Sequence, residues 1–288
     1  MARSPLPNRT TGVCARDHRG DSAHVERLRQ DRDHFLVRGQ KHHGEHVVNR
    51  TGRSPVDRRA PRFAFQRVAA ALRTGLCPAD RAFDCFLPDE LRTVSSQYWT
   101  PLAVAKRAAE WLDDLHVRTV VDIGSGAGKF CVAAALVRDC RFMGLEQRSR
   151  LVAAARTLAR VFDVDDRVSF VQGAVGEAVI PVADAYYLYN PFGVYFFGPP
   201  DHLDGDVAFT ETRRARAVAA VEDLLRRARP GTCVLTYNGF GGRMPTGYQR
   251  IQVDQNLPNE LCLWRKERTP TKSEGRTRGN VKRARRKG

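Results

Sequence analysis

The alternation of strand-like and helix-like stretches predicts an α/β chain: a doubly wound, mostly parallel sheet with a C-terminal antiparallel hairpin. Three observations carry this expectation. A β-branched apolar run (Val117, Thr119, Val120, Val121, Ile123) leads into Gly124, Gly126 and Gly128, after which the apolar spacing becomes helical. Short apolar runs then recur with amphipathic helical stretches among them, the pattern of a parallel sheet. The last two runs, Arg250 to Val253 and Leu261 to Trp264, are separated by a polar turn around Asn256 to Asn259, which reads as an antiparallel pair.

Taken in order, the folded part is expected to span residues 63–266. Phe63, Phe65, Val68, Leu72 and Leu76 have helical spacing, and Phe83, Phe86 and Leu87 follow around Pro88. Thr100 reads as an N-cap with Pro101 at the first helical position, opening a helix with Leu102, Ala105, Ala108, Ala109 and Leu112 on one face. The first strand ends in the glycine turn, and Lys129 to Val137 forms a helix with Phe130, Val132, Ala133 and Leu136 on one side. Phe142 to Leu145 is a second strand ending in Glu146, followed by a helix from Leu151 to Phe162. Arg167 to Gln172 and Ala183 to Tyr189 are the third and fourth strands. A Gly-, Pro- and Asp-rich loop from Val194 to Phe209 precedes a helix capped by Thr210 or Thr212 and stopped by Pro230-Gly231. Cys233 to Tyr237 is the fifth strand.

Spacing separates three readings of the glycine turn. A phosphate loop needs G-x-x-x-x-G-K-[ST], but five residues before Gly128 stands Ile123, and Phe130 occupies the hydroxyl position. A dinucleotide turn needs G-x-G-x-x-G, and here the third glycine comes one residue early. The stretch reads D-x-G-x-G-x-G from Asp122 to Gly128. This resembles motif I of class I, Rossmann-type S-adenosylmethionine (SAM) methyltransferases, and the resemblance covers roughly residues 95–266.

The resemblance implies an enzyme with SAM as cofactor and Thr100, Asp122, Gly124, Ser125, Gly126, Gly128, Glu146, Gln147, Gln172 and Asn190 as cofactor-binding residues. Glu146, about 20 residues past the turn at the tip of the second strand, is the expected acceptor for ribose hydroxyls. Asp122 is expected to order the glycine loop near the amino-acid end of the cofactor. Where the family usually has an acid after the third strand, this chain has Gln172-Gly173-Ala174. A side chain at Gly126 is expected to stand where bare backbone must approach the ligand. Tyr98-Trp99-Thr100-Pro101 resembles the segment before motif I in N6-adenine enzymes, with Thr100 as a cofactor contact and Tyr98 or Trp99 as a wall.

Asn190, Pro191 and Phe192 are the expected catalytic residues. They lie at the C-terminal end of the fourth strand, where open α/β sheets place ligands. Amino-methylating enzymes carry [D/N]-P-P-[Y/F/W] here, with the Asn accepting from the target amino group and the aromatic stacking on it; this chain lacks one proline. Tyr195, Phe196 and Phe197 are expected to line the pocket, and His116 to be structural.

Composition bounds the partners. The formal net charge is +16, yet residues 1–62 hold 14 basic and 7 acidic residues and residues 265–288 hold 11 and 2, leaving 23 of each in between. The excess is therefore in two ends that lack periodicity: a disordered basic tail over 1–62, for which a start codon placed too early is the other reading, and a second over 267–288. The tails are expected either to contact RNA or DNA phosphates or to be solvated appendages. Seven scattered cysteines without a C-x-x-C pair argue against disulfides and zinc. No apolar run is long enough for a membrane span, and the expected setting is cytoplasmic. No metal is expected. The acceptor stays open between a nitrogen in nucleic acid and a protein side chain or small molecule, with a non-catalytic SAM- or nucleic-acid-binding accessory protein as the remaining class.

Overall fold

The computed structural model describes residues 60–192 and 210–267, all within one compact unit, Asp57–Gly288. Residues 1–59 and 268–288 and the whole Val194–Phe209 loop, with Tyr195, Phe196 and Phe197, lie outside the described residues.

The first helix, α1 (Ala60–Arg73), begins three residues before the expected domain start. It buries Val68, Ala69 and Leu72, whereas Leu76 lies beyond its end and is exposed. Three short helices that periodicity did not reveal follow: α2 (Asp80–Asp84), α3 (Asp89–Thr93) and α4 (Ser95–Tyr98). Phe83 of α2 stacks on Phe162 with ring centroids 4.6 Å apart.

Helix α5 (Leu102–Asp114) buries the expected apolar face, but its N-terminus is not capped as expected. The Thr100 hydroxyl hydrogen-bonds the Tyr187 hydroxyl at 3.0 Å, and the Leu102 N–H donates to Oδ1 of Asp80 at 2.9 Å. The cap is thus supplied by α2, 22 residues back in sequence.

Seven strands form one sheet in the order β3-β2-β1-β4-β5-β7-β6. They are β1 (Thr119–Ile123), β2 (Arg141–Glu146), β3 (Val168–Gln172), β4 (Ala185–Tyr189), β5 (Cys233–Tyr237), β6 (Tyr248–Asp254) and β7 (Leu261–Lys266). The first five are parallel, and β7 inserts antiparallel between β5 and β6. This mixed sheet fits the class I methyltransferase fold that the sequence led us to expect.

Period-2 alternation divides each strand between two cores. On one face Val120, Phe142, Phe170, Tyr187 and Leu235 meet α1, α5, α6 (Lys129–Val137) and α7 (Ser149–Val161). On the other, Val121, Ile123, Tyr186, Leu188 and Val234 meet α8 (Glu211–Arg227), whose N-cap is Thr210, accepting from the Arg213 N–H at 3.2 Å. Helix α6 is not one-sided. All nine of its residues are buried, because it packs against α1, α5 and α7 as well as the sheet.

That burial includes Lys129, only 2% exposed. Its ammonium lies 2.6 Å from Asp80 Oδ1 and 2.7 Å from Asp84 Oδ1 and donates to Ser95 Oγ at 3.3 Å. One cation therefore fastens α2 and α4 to the helix that follows the glycine turn, and Asp80 carries the tie on to α5. Removing one partner of a buried pair costs about 3–5 kcal/mol, because the other charge stays buried. We expect Lys129→Met to lose stability of that order in urea unfolding followed by circular dichroism. An unchanged midpoint would reject this role for Lys129.

Candidate active site

The site forms at the C-terminal ends of β1, β2 and β4. After Ile123 the chain turns through Gly124 (φ 81°), Gly126 (φ 53°) and Gly128 (φ 79°). The Gly124 and Ser125 N–H groups both donate to the Leu145 carbonyl, at 2.9 and 3.0 Å, and the Gly126 N–H donates to Glu146 Oε2 at 3.1 Å. Three successive amides thus end on the tip of β2.

Two glycines are set by neighbours as well as by φ. A Cβ on Gly126 would stand 2.5 Å from the Trp99 ring, and one on Gly124 would stand 3.0 Å from Pro191 Cβ. The obstruction expected at Gly126 therefore meets Trp99 first. Trp99 is itself buried and held by its indole N–H, which donates to the Leu91 carbonyl at 2.9 Å.

Both expected acids are buried. Glu146 accepts from the Arg148 N–H (2.9 Å) through Oε1 and from Gly126 through Oε2; burial raises its pKa, and these bonds oppose the rise. A carboxylate has about four lone-pair sites, so part of its accepting capacity remains. Asp122 sits deeper and accepts from the Cys131 thiol at 3.4 Å. Among the described residues no hydrogen bond joins it to the glycine loop, which is held by Leu145 and Glu146 instead. Burial, with the Glu146 charge adding to it, raises the Asp122 pKa to about 7. Beside them, the buried Ser125 Oγ has no hydrogen-bond partner among the described residues. Gln147 is half-buried, and Gln172, the register partner of Glu146, is exposed.

Thr100 is 5% exposed and lies against β4 through Tyr187, whose ring stacks on Phe130 at 3.6 Å. Its hydroxyl is thus engaged within the protein rather than free. Asn190 has φ 35°, is half-buried, and donates its N–H to the Gly239 carbonyl at 3.0 Å. Pro191 covers Gly124, which brings the Asn-Pro-Phe segment onto the glycine turn. Phe192 is 4% exposed and packs in the α8-side core with Ile123 and Leu188, so its ring is a packing group rather than an open stacking surface. His116 is exposed, at φ 55° in the turn before β1.

Sequence reasoning missed Lys129, the Asp80 cap and Asn238. Only Asn238 left a signal: it belongs to a strand-ending Asn-Gly pair, at φ 54° and next to the site through the Gly239 carbonyl. Among the described residues no group of three or more His, Cys, Asp or Glu is placed to hold a metal, and no helix is long and apolar enough to cross a membrane.

No protein-family model matches the chain, and no curated protein matches it. Solved structures similar to it include an RNA methyltransferase from Salinibacter ruber in complex with S-adenosyl-L-homocysteine (25% identity, 60% of this chain and 96% of that one, TM-score 0.44). Others are a putative O-methyltransferase from Klebsiella pneumoniae (14%, 84% and 100%, TM-score 0.41) and a SAM-dependent methyltransferase from Geobacter sulfurreducens in complex with S-adenosyl-L-homocysteine (18%, 58% and 74%, TM-score 0.36). With every such score below 0.5, the functional reading rests on the glycine turn, the buried acids and Asn190 of this chain.

Two outcomes follow from the geometry. Gly126→Ala should cost about 2–4 kcal/mol, from the Trp99 clash and the left-handed backbone, and a second change, Trp99→Leu, should return part of it. Purely additive losses in thermal unfolding would show that the two residues do not meet. Asp122 titrates near 4 when unfolded and near 7 when folded, so across that window unfolding releases a proton. Stability is then full below pH 4 and falls as pH rises to 7, by up to about 4 kcal/mol from this group. Asp122→Asn should flatten the decline in denaturant midpoints between pH 5 and 8; an unchanged slope would remove Asp122 as its source.

Proposed function

We propose that this chain is a SAM-dependent methyltransferase acting on an acceptor nitrogen, with a nucleic acid as the substrate. The carrying observation is the convergence of the glycine turn, Glu146 and Asn190-Pro191 at adjacent strand ends, where Pro191 rests on Gly124. Open α/β sheets bind ligands at this edge.

The residues present suit the cofactor. Gly124 leaves its backbone exposed for close approach. Ser125 Oγ is a buried hydroxyl in want of a partner, and Asp122 is a buried acid with one weak thiol donor. An ammonium and a set of hydroxyls are what such groups lack. Glu146, with Gln147 beside it, is assigned the ribose hydroxyls, Asp122 and Ser125 the amino-acid end, and Gln172 an amide contact at the third strand. Thr100 and Trp99 brace the turn from the side of α5.

Bound SAM supplies a methyl group on a cationic sulfur, activated for in-line displacement. The chain then has little to do beyond positioning. Asn190, fixed by its N–H bond to Gly239, offers a side-chain oxygen to the acceptor N–H and so orients the nitrogen lone pair toward the methyl. Pro191 limits the freedom of that loop. The attacking nitrogen sheds its proton after the bond forms, so no buried base is required. The basic tails supply salt-dependent, sequence-independent phosphate contact.

The test is transfer of label. With tritiated SAM, the protein is incubated with separate fractions of unmethylated RNA, DNA, protein and small metabolites. Label is expected in RNA or DNA, lost at least tenfold in Asn190→Ala, while S-adenosylhomocysteine binding in calorimetry survives that change and falls in Glu146→Ala. Label in protein or metabolites would overturn the nucleic-acid substrate. Absence of cofactor binding would overturn the methyltransferase reading.

A further inference from the structure

Two adjacent strands end on one pattern, Tyr-Asn-x-Phe-Gly: Tyr189 to Gly193 after β4 and Tyr237 to Gly241 after β5. The likeness extends to the structure. Tyr189 and Tyr237 are register partners with rings 4.8 Å apart. Phe192 and Phe240 are 4% and 3% exposed and share the α8-side core. Asn190 and Asn238 both take left-handed backbone, at φ 35° and 54°. The Asn190 N–H to Gly239 carbonyl bond at 3.0 Å ties the two turns together, and the Asn238 N–H is held by the Glu260 carbonyl at 3.0 Å.

Each turn is therefore anchored by an aromatic on either side, with an asparagine between. In left-handed backbone glycine is the least costly residue, and asparagine is usually compensated by a local side-chain hydrogen bond. Here both asparagines are half-buried, and neither carboxamide has a hydrogen-bond partner among the described residues. Two strained positions with unspent hydrogen-bonding capacity stand at the ligand-binding edge of the sheet.

We infer that Asn238 is a second acceptor-binding residue, paired with Asn190, and that the pair recognises the edge of a planar amino heterocycle of nucleobase type. This rests on the proposed function and extends it to the acceptor. Each carboxamide presents an acceptor oxygen and an N–H₂ donor, the complement of an edge that carries an amino group beside a ring nitrogen or carbonyl. Neighbouring strands run about 4.8 Å apart, so two such amides reach separate points on one ring system. A lone hydroxyl acceptor, once bound over the pair, would leave one of them without a partner.

The test uses the full chain saturated with S-adenosylhomocysteine, so that adenosine cannot occupy the cofactor site. Adenosine, cytidine and catechol are offered in turn, and binding is read by ligand-observed NMR. At least one nucleoside is expected to bind and catechol not to. Asn238→Gly keeps the left-handed turn and removes only the carboxamide; it should weaken nucleoside binding about tenfold or more and leave S-adenosylhomocysteine affinity unchanged in calorimetry. Asn238→Asp, which keeps the shape but loses the donor, should weaken it as well and serves if the glycine variant does not fold. Cofactor binding without nucleoside binding, or variants that bind nucleosides like the parent, would overturn the inference while leaving the cofactor reading intact. No cofactor binding would overturn both.

Discussion

The glycine turn is held by the strand beside it. Gly124, Ser125 and Gly126 direct three consecutive N–H groups at Leu145 and Glu146, so the end of β2 determines the shape of the loop after β1. Few side chains fit such a turn: the loop needs positive φ, and Trp99 and Pro191 occupy the space where side chains would grow. Glu146 serves twice in this arrangement. Its Oε2 takes the Gly126 amide and its Oε1 the Arg148 amide, so one carboxylate holds both the turn and the entry to α7.

Around that turn, the N-terminal helices form a brace rather than an appendage. Lys129 is the first residue of the helix after the glycines, and its buried ammonium draws in Asp80, Asp84 and Ser95. Asp80 in turn caps α5, whose preceding residues, Trp99 and Thr100, press on Gly126 and Tyr187. The chain of contacts runs from a charge in the core to the roof of the site. A lysine directly after the last glycine resembles a phosphate-binding arrangement in sequence; in space it is spent on carboxylates of its own chain.

Much of the architecture was legible locally. Strand and helix periods, the five parallel strands and the closing antiparallel pair are consequences of short-range patterning, and the structure has them at nearly the expected residues; of the two threonines open as caps for α8, it uses Thr210. So is the placing of Gly124 to Gly128, Glu146 and Asn190 at strand ends, since a break in β pattern marks where a strand stops. The helix-cap reading of Thr100 failed because a distant carboxylate competed for the same N–H, and the stacking role read for Phe192 gave way to a core site. One-sided periodicity misdescribed α6, which is surrounded by other helices.

Local pattern alone, then, set the fold class, the order of elements and the residues that stand at the C-terminal ends of the strands. These follow from side-chain period, β-branching and glycine conformation, which act over a few residues. Only the tertiary structure decided which of those residues meet. Trp99 over Gly126, Pro191 over Gly124, Lys129 between two aspartates and Asn238 beside Asn190 join segments 27 to 67 residues apart or on separate strands. Such pairs are set by strand order and register, and no local pattern encodes them.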